Sequence, residues 1–290
     1  MITRGDLARR AWRFRADVGR RLGRRGSATT AIRSLGQHPR ADSASWFEAT
    51  SSGFDRYRVD HPPIADRVAV VCVSRRPELV EDVIANVGRQ AAELAVEFVF
   101  VTNDDGFDGG ALAERLGGLA TATLVEMPPS ATLGACLNAG LRATSERFVA
   151  KFDDDDWYGH NYLVDALRAH GFAGAGVVGK HTYYADVGEP AARYLRFPGR
   201  EFSYSGTLAG GTLVIDRERT GDLMFDDVSI GEDRRFLAAC HRRGVSTFSG
   251  ERFGFVQRRN DRNTWVLPID QFLVGCLEVA PTDPVHDVDR

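Results

Sequence analysis

Four consecutive aspartates, Asp153 to Asp156, are the residues of this sequence best suited to chemistry. They follow the apolar run RFVAKF (147–152) and precede Trp157. Adjacent carboxylates repel one another unless something neutralises them, and a hard divalent cation with bound phosphates does so. The alternative is a solvated acidic turn or a helix N-cap. We favour a Mg²⁺ or Mn²⁺ site because the aspartates end an apolar strand, and because they lack the glycine and distant glutamate of an EF-hand loop.

Two other polar segments also end apolar runs. Residues 103–106 (NDDG) end the run that begins at 96, where a carboxylate can accept hydrogen bonds from a ribose hydroxyl or a base N–H. The alternative there is an Asx turn before a helix. Residues 74–77 (SRRP) end the run that begins at 68 and offer a hydroxyl and cations to a diphosphate. Their alternative is a polar loop in which proline begins a helix.

A third acidic feature, Gly231-Glu232-Asp233, begins a late helical segment. A carboxylate at a helix N-terminus is commonly a cap that the helix dipole favours. The alternative is that Asp233 is a general base, which takes a proton from an attacking hydroxyl. The sequence alone leaves both interpretations open.

Motifs of several other enzyme classes are missing from the sequence. It contains no GxxxxGK[ST] loop, no HExxH spacing and no GxSxG elbow, which argues against P-loop, zinc-protease and α/β-hydrolase sites. The four cysteines lie far apart without a CxxC pair. They are therefore predicted to be buried thiols rather than a disulfide framework or a zinc site.

Strands that alternate with helices must position these segments. Strand-like runs begin at 68, 96, 121 and 147, with helix-like segments over 77–90, 111–119 and 133–144. This alternation predicts an α/β fold with a mainly parallel, Rossmann-like central sheet flanked by helices. Ligands of such sheets bind beyond the carboxyl ends of the strands, where the polar segments above stand. Further along we expect helices over 161–171 and 233–243, a strand and a turn in 176–187, a strand in 211–218 and short strands after 246.

The N-terminal residues are strongly basic. The 290-residue chain has a net charge of −3, yet residues 1–40 hold eleven arginines and two aspartates. Over 6–25 arginine alternates with apolar residues at helical spacing, which predicts an amphipathic helix. This helix either lies on an anionic membrane or partner surface or packs on the acidic body. The overall charge argues against a nucleic-acid partner.

The chain is expected to have three parts. They are a basic helical and irregular extension over 1–65, one α/β domain over 66–270 and a C-terminal tail over 271–290. Aromatic residues of the extension, including Phe54 and Tyr57, are expected to dock on the domain. No apolar run approaches the ~18 residues that span a bilayer, and no secretory signal is recognisable. We therefore expect a cytoplasmic protein, peripheral at the inner face of the membrane if residues 1–25 bind lipid.

Taken together, these motifs resemble those of the family-2 glycosyltransferases with the GT-A fold. The resemblance runs from about Val68 to Trp265 through VAVVCVSRRP, VFVTNDDG, LGACLNAGLRAT, RFVAKFDDDDWY and GEDRRFLAAC. It implies a nucleotide-sugar donor, Mn²⁺ or Mg²⁺, and an inverting transfer to an acceptor hydroxyl. The acceptor would be a glycan, a lipid-linked molecule or a small molecule, in the synthesis of a surface polysaccharide, a glycolipid or a related glycan.

The resemblance also implies roles for the matching residues. Those that would line the nucleotide pocket are Ser74, Arg76, Asp104 or Asp105, and Asn138, with Asp153 on the ribose side. Asp155 and Asp156 would hold the metal, and Asp233 would be the catalytic base. Residues 210–212 (GGT) would shape the acceptor side of the cleft.

This chain departs from the family's pattern in two ways. Its four consecutive aspartates, 153–156, leave the register of the family's Asp-x-Asp motif open by one residue. Many relatives have a histidine near a terminal Thr-Trp, whereas this chain has Arg262-Asn263-Thr264-Trp265. Arg258, Arg259 or Arg262 would then neutralise diphosphate charge. The QxxRW signature of processive synthases is absent, which favours a single addition over polymerisation. Two other hypotheses stay open: a nucleotidyltransferase, which the lack of a glycine-rich loop after the first strand disfavours, and a non-catalytic sugar- or partner-binding module.

Overall fold

A computed structural model describes residues 53–90, 92–119, 121–188, 190–259, 267–280 and 287–289. Its first half alternates strands with helices, as the apolar runs predict. The strands β1 to β4 comprise Arg67–Ser74, Ala95–Thr102, Ala122–Glu126 and Phe148–Asp153. The helices between them are α1 (Val80–Gln90), α2 (Gly109–Leu116) and α3 (Leu133–Arg142).

Local capping explains where these helices begin. Pro77 begins a 3-10 turn, Pro77–Leu79, that leads into α1. Its fixed φ and missing N–H suit the first position of a helix. The side chains of Asp108 and Thr132 accept hydrogen bonds from Ala111 N (3.0 Å) and Ala135 N (3.1 Å), which caps α2 and α3.

The central sheet is largely parallel. Besides β1 to β4 it contains β6 (Val177–Gly179), β9 (Ser203–Tyr204), β10 (Val214–Asp216) and β11 (Thr247–Ser249). The strand order is β3-β2-β1-β4-β10-β6-β11-β9. The first four strands are parallel neighbours, whereas β10 lies antiparallel between β4 and β6 and β9 is antiparallel to β11.

Helices cover both faces of this sheet. Val68, Val70 and Cys72 of β1 face an apolar cluster that includes α1, α2 and α4 (Tyr162–Ala173). Ala69 and Val71 face a second cluster built from α3 and α6 (Glu232–Arg242). Strands that are buried on both faces are apolar at successive positions, which is why these strands were recognisable as continuous apolar runs. The observed α4 and α6 also match the helices predicted over 161–171 and 233–243.

A second sheet begins shortly after the end of β4. Its strands are β5 (Trp157–Tyr158), β7 (Tyr183–Val187), β8 (Ala192–Arg196), β12 (Phe255–Arg259) and β13 (Cys276–Glu278). Their order is β13-β8-β7-β12-β5. Segment 176–187, for which one strand and a turn were predicted, contributes β6 to the first sheet and β7 to the second. Because β5 directly follows the four aspartates, its partner β12 lies beside the acidic turn.

The later half also contains two short helices, α5 (Arg217–Thr220) and α7 (Ile269–Phe272). The strand predicted in 211–218 is limited to β10, and a 3-10 turn, Gly210–Thr212, precedes it. The string GAGVVG (174–179) has the glycine spacing of a dinucleotide-binding loop, but it runs from the end of α4 into β6. That loop must lead from a strand into a helix, so the structure gives this string no such role.

A helix over 53–60 connects the extension to the domain. As predicted, Phe54 and Tyr57 are buried, and they pack with Phe253 and Val256 in a cluster that also includes Val288. The predicted basic helix within 1–25 lies outside the described residues, so the three-part division of the chain stays a prediction. In the part of the chain that the structure describes, no helix is long and apolar enough to cross a membrane.

A buried ion pair fixes the 53–60 helix to α4. Arg58 Nε lies 3.0 Å from Asp165 Oδ1 and Arg58 Nη2 lies 2.6 Å from Asp165 Oδ2. The Asp165 side chain is only 3% exposed, and Arg168 Nε lies 3.4 Å from it. Burial raises the pKa of Asp165 to about 6, although the hydrogen bonds from Arg58 oppose the shift. Asp165 therefore depends on Arg58 to remain ionised inside the protein.

We predict that Arg58→Met lowers the free energy of unfolding by about 3 kcal/mol at pH 7.5, because it leaves a buried carboxylate without its main counter-charge. Removing Arg58 raises the folded-state pKa of Asp165 further above its unfolded value, so the loss should shrink as the pH falls from 7.5 to about 6, where the wild-type carboxyl also becomes neutral. Urea denaturation at both pH values measures this. The control is Arg67→Met, whose solvent-exposed pair with Glu146 should contribute far less to stability than the buried pair. Equal losses in the two variants would contradict the analysis.

Candidate active site

The carboxyl ends of β1 and β4 lie side by side and bring Ser74 and Arg76 to the aspartates. The two strands pair in parallel up to Asp153. Ser74 Oγ donates a 2.5 Å hydrogen bond to Asp154 Oδ2, and Arg76 Nε donates to the same oxygen at 3.1 Å. Arg76 Nη2 also lies 3.0 Å from Asp155 Oδ2. The residues predicted from the first and fourth strands therefore share one site.

Asp154, to which the sequence analysis gave no role, anchors this arrangement. It is 5% exposed, and burial raises its pKa even though the hydrogen bonds from Arg76 and Ser74 oppose the shift. Burial opposes the charge of Arg76, but the hydrogen bond and charge of Asp154 and the charge of Asp155 raise its pKa nonetheless. Asp154 thus joins the end of β1 to the acidic turn and holds the guanidinium at the site.

Asp156 is the most strongly perturbed carboxylate of the turn. It is 2% exposed, and its pKa is raised well above the ordinary value by burial and then by the charges of Asp155 and Asp153. The backbone N–H of Arg258, on β12, donates a 3.0 Å hydrogen bond to its Oδ1. One backbone donor compensates only part of the repulsion, so this is a position where a bound cation would relieve unfavourable charge.

Two buried polar residues form the scaffold of the turn. Asn86 of α1 donates from Nδ2 to the backbone oxygen of Asp156 (2.9 Å) and accepts at Oδ1 from the backbone N–H of Tyr158 (3.1 Å). The Tyr158 hydroxyl accepts from the backbone N–H of Asp153 (2.8 Å) and donates to the carbonyl of Gly211 (2.7 Å). These bonds fix the backbone on both sides of the aspartates and attach it to the turn at 210–212. The sequence analysis missed both residues.

Two glycines bring Asp233 to the acidic turn. A Cβ placed on Gly211 would lie 2.8 Å from Asp153 Oδ2 and 3.0 Å from Asp156 Oδ2. A Cβ placed on Gly210 would lie only 2.0 Å from Asp233 Oδ2. No side chain fits at either position without displacing a carboxylate. Asp153, Asp156 and Asp233 therefore meet around one glycine pair.

The start of α6 orients the last of these carboxylates. Gly231 has a φ of 79°, in the left-handed region that favours glycine, and it turns the chain into the helix. Asp233 Oδ1 accepts a 2.5 Å hydrogen bond from the backbone N–H of Arg234. Its Oδ2 is the atom that faces Gly210. The N-cap of α6 is Gly231, so Asp233 does not cap the helix; one of its oxygens contacts a backbone N–H of the first turn, and the other points to the glycine pair.

A buried lysine, also missed in the sequence analysis, lies beneath the site. Lys151 of β4 is 4% exposed, and its Nζ lies 2.5 Å from Asp153 Oδ1. Glu232 is 5% exposed, and burial raises its pKa although the charge of Lys151 lowers it. The signal in the sequence was Lys151 itself, a charged residue between the apolar residues of FVAKF (148–152).

The remaining predicted donor residues make local contacts. Asp104 is half-buried and accepts a 2.9 Å hydrogen bond from the backbone N–H of Gly106, which is an Asx turn. Asp105 is exposed at the same strand end. The Asn138 amide donates to the carbonyl of Phe225 and accepts from its N–H, both at 2.9 Å. The nucleotide-binding roles of these residues stay predictions.

The acidic turn has the chemistry of a divalent cation site. Among the residues that the structure describes, no three His, Cys, Asp or Glu side chains already converge as ligands. Arg76 instead contacts Asp154 and Asp155. The predicted ligands Asp155 and Asp156 nonetheless fit Mn²⁺ or Mg²⁺, because they are hard oxygen donors, neighbouring charges oppose the ionisation of Asp156, and Gly211 leaves no side chain beside it.

The arginines of β12 contact other parts of the protein. Arg258 Nη1 lies 3.8 Å from Asp82 Oδ2, and Arg259 Nη2 donates to the carbonyl of Leu267 at 3.2 Å. Burial and the charge of Arg196 lower the pKa of Arg259. Arg262 and the Thr-Trp pair lie outside the described residues. A role of these arginines toward a diphosphate stays a prediction.

The sequence matches no protein-family model and no curated protein. Its structure, however, resembles solved glycosyltransferases. One is the 1-349 segment of TarS from S. aureus in complex with UDP-GlcNAc, with a TM-score of 0.55 and 15% identity over 72% of this chain and 64% of the TarS segment. The same segment in complex with UDP has a TM-score of 0.53 and 14% identity, over 68% of this chain and 61% of that one.

A second relative in structure is the mannosyltransferase PcManGT from Pyrobaculum calidifontis, in complex with GDP-Man and Mn²⁺. It has a TM-score of 0.52 and 16% identity over 82% of this chain and 70% of the mannosyltransferase. At such identities the likeness concerns the fold. This chain therefore has the GT-A fold of glycosyltransferases, as its sequence predicted.

Proposed function

We propose that this chain is an inverting glycosyltransferase that uses a nucleotide-sugar donor and a divalent cation. The observation that carries the proposal is the meeting of Asp153, Asp156 and Asp233 around Gly210 and Gly211 at the carboxyl edge of a parallel sheet. Nucleotide ligands of α/β sheets bind at that edge. The fold is shared with proteins solved with UDP-GlcNAc and with GDP-Man and Mn²⁺, which supports the same class of donor.

On the donor side, the acidic turn would contact the nucleotide sugar. Ser74 and Arg76 stand next to it, and Arg76 carries the charge that suits a diphosphate. Asp153, which is 34% exposed, would accept hydrogen bonds from the ribose. The other predicted donor residues are Asp104, Asp105 and Asn138. A cation held by Asp155 and Asp156 would stabilise the charge of the departing diphosphate.

On the acceptor side, Asp233 would be the general base. It would take the proton of the acceptor hydroxyl while that oxygen forms a bond to the anomeric carbon and the bond from this carbon to the diphosphate oxygen breaks. A single displacement of this kind inverts the anomeric configuration. The position of Asp233 Oδ2 beside Gly210 supports this role, because the base then lies next to the carboxylates proposed for the donor.

The acceptor is proposed to be a glycan, a lipid-linked molecule or a small molecule that carries a free hydroxyl. Contact of residues 1–25 with a membrane surface is part of the same proposal. A nucleotidyltransferase remains the alternative within enzymes, and its signature would be release of inorganic diphosphate rather than of a nucleoside diphosphate. A non-catalytic binding module would bind the nucleotide sugar without any turnover.

The metal assignment predicts that Asp156→Asn is more stable than the wild type without metal but less stable than the wild type with saturating Mn²⁺. In chelator the variant should be more stable than the wild type by about 1 kcal/mol, because it removes an opposed buried charge and keeps an oxygen for the Arg258 N–H. Saturating Mn²⁺ should raise the melting temperature of the wild type far more than that of the variant. The control, Asp66→Asn, changes an exposed aspartate and should behave like the wild type. Equal stabilisation of all three proteins by Mn²⁺ would place the ion elsewhere.

The donor assignment predicts selective nucleotide binding. Calorimetric titration with UDP, GDP, dTDP, CDP and ADP should show one diphosphate that binds tightly with Mn²⁺ and at least about tenfold more weakly without it, a difference of about 1.4 kcal/mol. Asp155→Asn should lose the dependence on Mn²⁺. If none of the diphosphates binds with or without metal, the proposed donor site is wrong.

The base assignment predicts that Asp233→Asn lowers kcat by about 10²–10⁴-fold, the usual contribution of a positioned general base. Donor affinity and melting temperature should change little, because the amide has the same size and retains an oxygen for the Arg234 N–H. Asp226→Asn is the matched control, an exposed aspartate on the segment that precedes the same helix. Unchanged turnover in Asp233→Asn would support the non-catalytic module or assign the base elsewhere.

A further inference from the structure

Lys151 has no role in the proposed mechanism, yet it is a fully buried cation directly below the site. It lies on β4, where its backbone N–H donates to the carbonyl of Leu213 at 2.8 Å, next to the turn at 210–212. Its Nζ contacts Asp153 Oδ1 at 2.5 Å, and only 4% of the residue is exposed. Burying a lysine is costly unless it is paired, so its position in a central strand requires compensation.

That compensation comes from two elements. Burial lowers the pKa of Lys151, but the charges of Asp153, Glu232 and Asp233 raise it above the ordinary value. Asp153 ends β4, whereas Glu232 and Asp233 begin α6. The glycine pair that touches Asp153 on one side and Asp233 on the other joins these two elements at the same place. Lys151 is therefore one buried cation near two sets of carboxylates. One is Asp153, which is proposed to bind the ribose, and the other comprises the two residues that begin α6.

The acidic residues of the site are thus divided between two cations. Arg76 contacts Asp154 and Asp155 at the side of the turn that faces β1. Lys151 contacts Asp153 from below, with a 2.5 Å contact that leaves the second oxygen of this carboxylate beside Gly211. If Lys151 were neutral, Asp153 would lose the partner that orients it, and three carboxylates would repel one another without a counter-charge.

We propose that Lys151 is a positioning residue of the active site, which orients Asp153 toward the ribose of the donor. This inference rests on the proposed glycosyltransferase function. Lys151 acts through Asp153, since its own side chain is buried and contacts the Oδ1 atom of that carboxylate. Its first consequence is specific to the donor, because Asp153 is the only one of its contacts that is proposed to touch the nucleotide sugar.

The test compares Lys151→Met with Lys180→Met. Lys180 is the matched control, since it is equally buried (3% exposed) and its Nζ lies 2.6 Å from Glu251 Oε2, but its side chain contacts none of the proposed site residues. In folded Lys151→Met we expect the donor KM and the Kd of the selected nucleoside diphosphate to rise about tenfold or more, the effect of losing a hydrogen bond to a charged group. The acceptor KM should stay within about threefold of the wild type. Folded Lys180→Met should keep all three constants.

Two further variants make the test decisive. Lys151→Arg retains the charge and should recover the donor KM to within about threefold of the wild type. Asp153→Asn in the Lys151→Met background should weaken donor binding little further, because the two residues act as a unit. A Lys151→Met protein that folds and keeps the wild-type donor KM would overturn the inference, as would a rise in both KM values together.

The outcomes also separate this inference from the proposed function. If the wild type binds none of the five diphosphates, the proposed function fails and the inference falls with it. If the wild type binds one and Lys151→Met binds it equally well, only the inference fails. Should Lys151→Met not fold, Lys151→Gln is measured in the same way. If both fail to fold while Lys180→Met folds, Lys151 is a folding residue and the inference is overturned.

Discussion

Repulsion between four adjacent carboxylates at the end of a buried strand is the constraint on which the rest of this site depends. At such short separations like charges disfavour each other's ionisation, and burial increases the effect. The structure compensates the aspartates one by one. Lys151 pairs with Asp153, Arg76 pairs with Asp154 and Asp155, and a backbone N–H from β12 reaches Asp156. For the least compensated of them, Asp156, burial and the charges of its neighbours raise the pKa well above the ordinary value.

This compensation requires elements that are distant in sequence to meet at one edge. The parallel pairing of β1 and β4 brings Arg76 to the turn, and the short pairing of β5 with β12 brings the N–H that Asp156 accepts. Asn86 of α1 then fixes the backbone of the turn from below. The second sheet thus has a role at the site, because β12 donates a backbone N–H to Asp156, the most buried aspartate of the turn.

Much of the fold was predictable, for a physical reason. Strands buried on both faces must be apolar throughout, so β1, β2 and β4 were evident as apolar runs, and the helices between them had capping residues such as Asp108 and Thr132. The second sheet was not predictable in the same way. β5 has two residues and no periodicity, and its pairing with a strand about a hundred positions later depends on tertiary contacts. For the same reason segment 176–187 was assigned a single strand instead of one in each sheet.

The candidate site shows the same division between local and distant information. Ser74, Arg76 and the aspartates were found because strand ends of a parallel sheet necessarily lie at one edge. Asn86 and Tyr158 were missed because an amide in a helix and a tyrosine after an acidic run have no signature until their partners are known. Lys151 differs, since a lysine inside an apolar strand is itself a signal that a buried anion must be near it. A search for charged residues within apolar runs would have identified it.

Gly210 and Gly211 couple the position of the proposed base to the positions of the proposed donor-side carboxylates. Because Gly210 touches Asp233 and Gly211 touches Asp153 and Asp156, a movement of this turn displaces the base and the donor carboxylates together. Tyr158 holds the same turn through the Gly211 carbonyl while it also holds the backbone of Asp153. The distance between the proposed donor site and the proposed base is thus set by the backbone, in which a glycine pair admits the carboxylates and a single tyrosine hydroxyl joins the two segments.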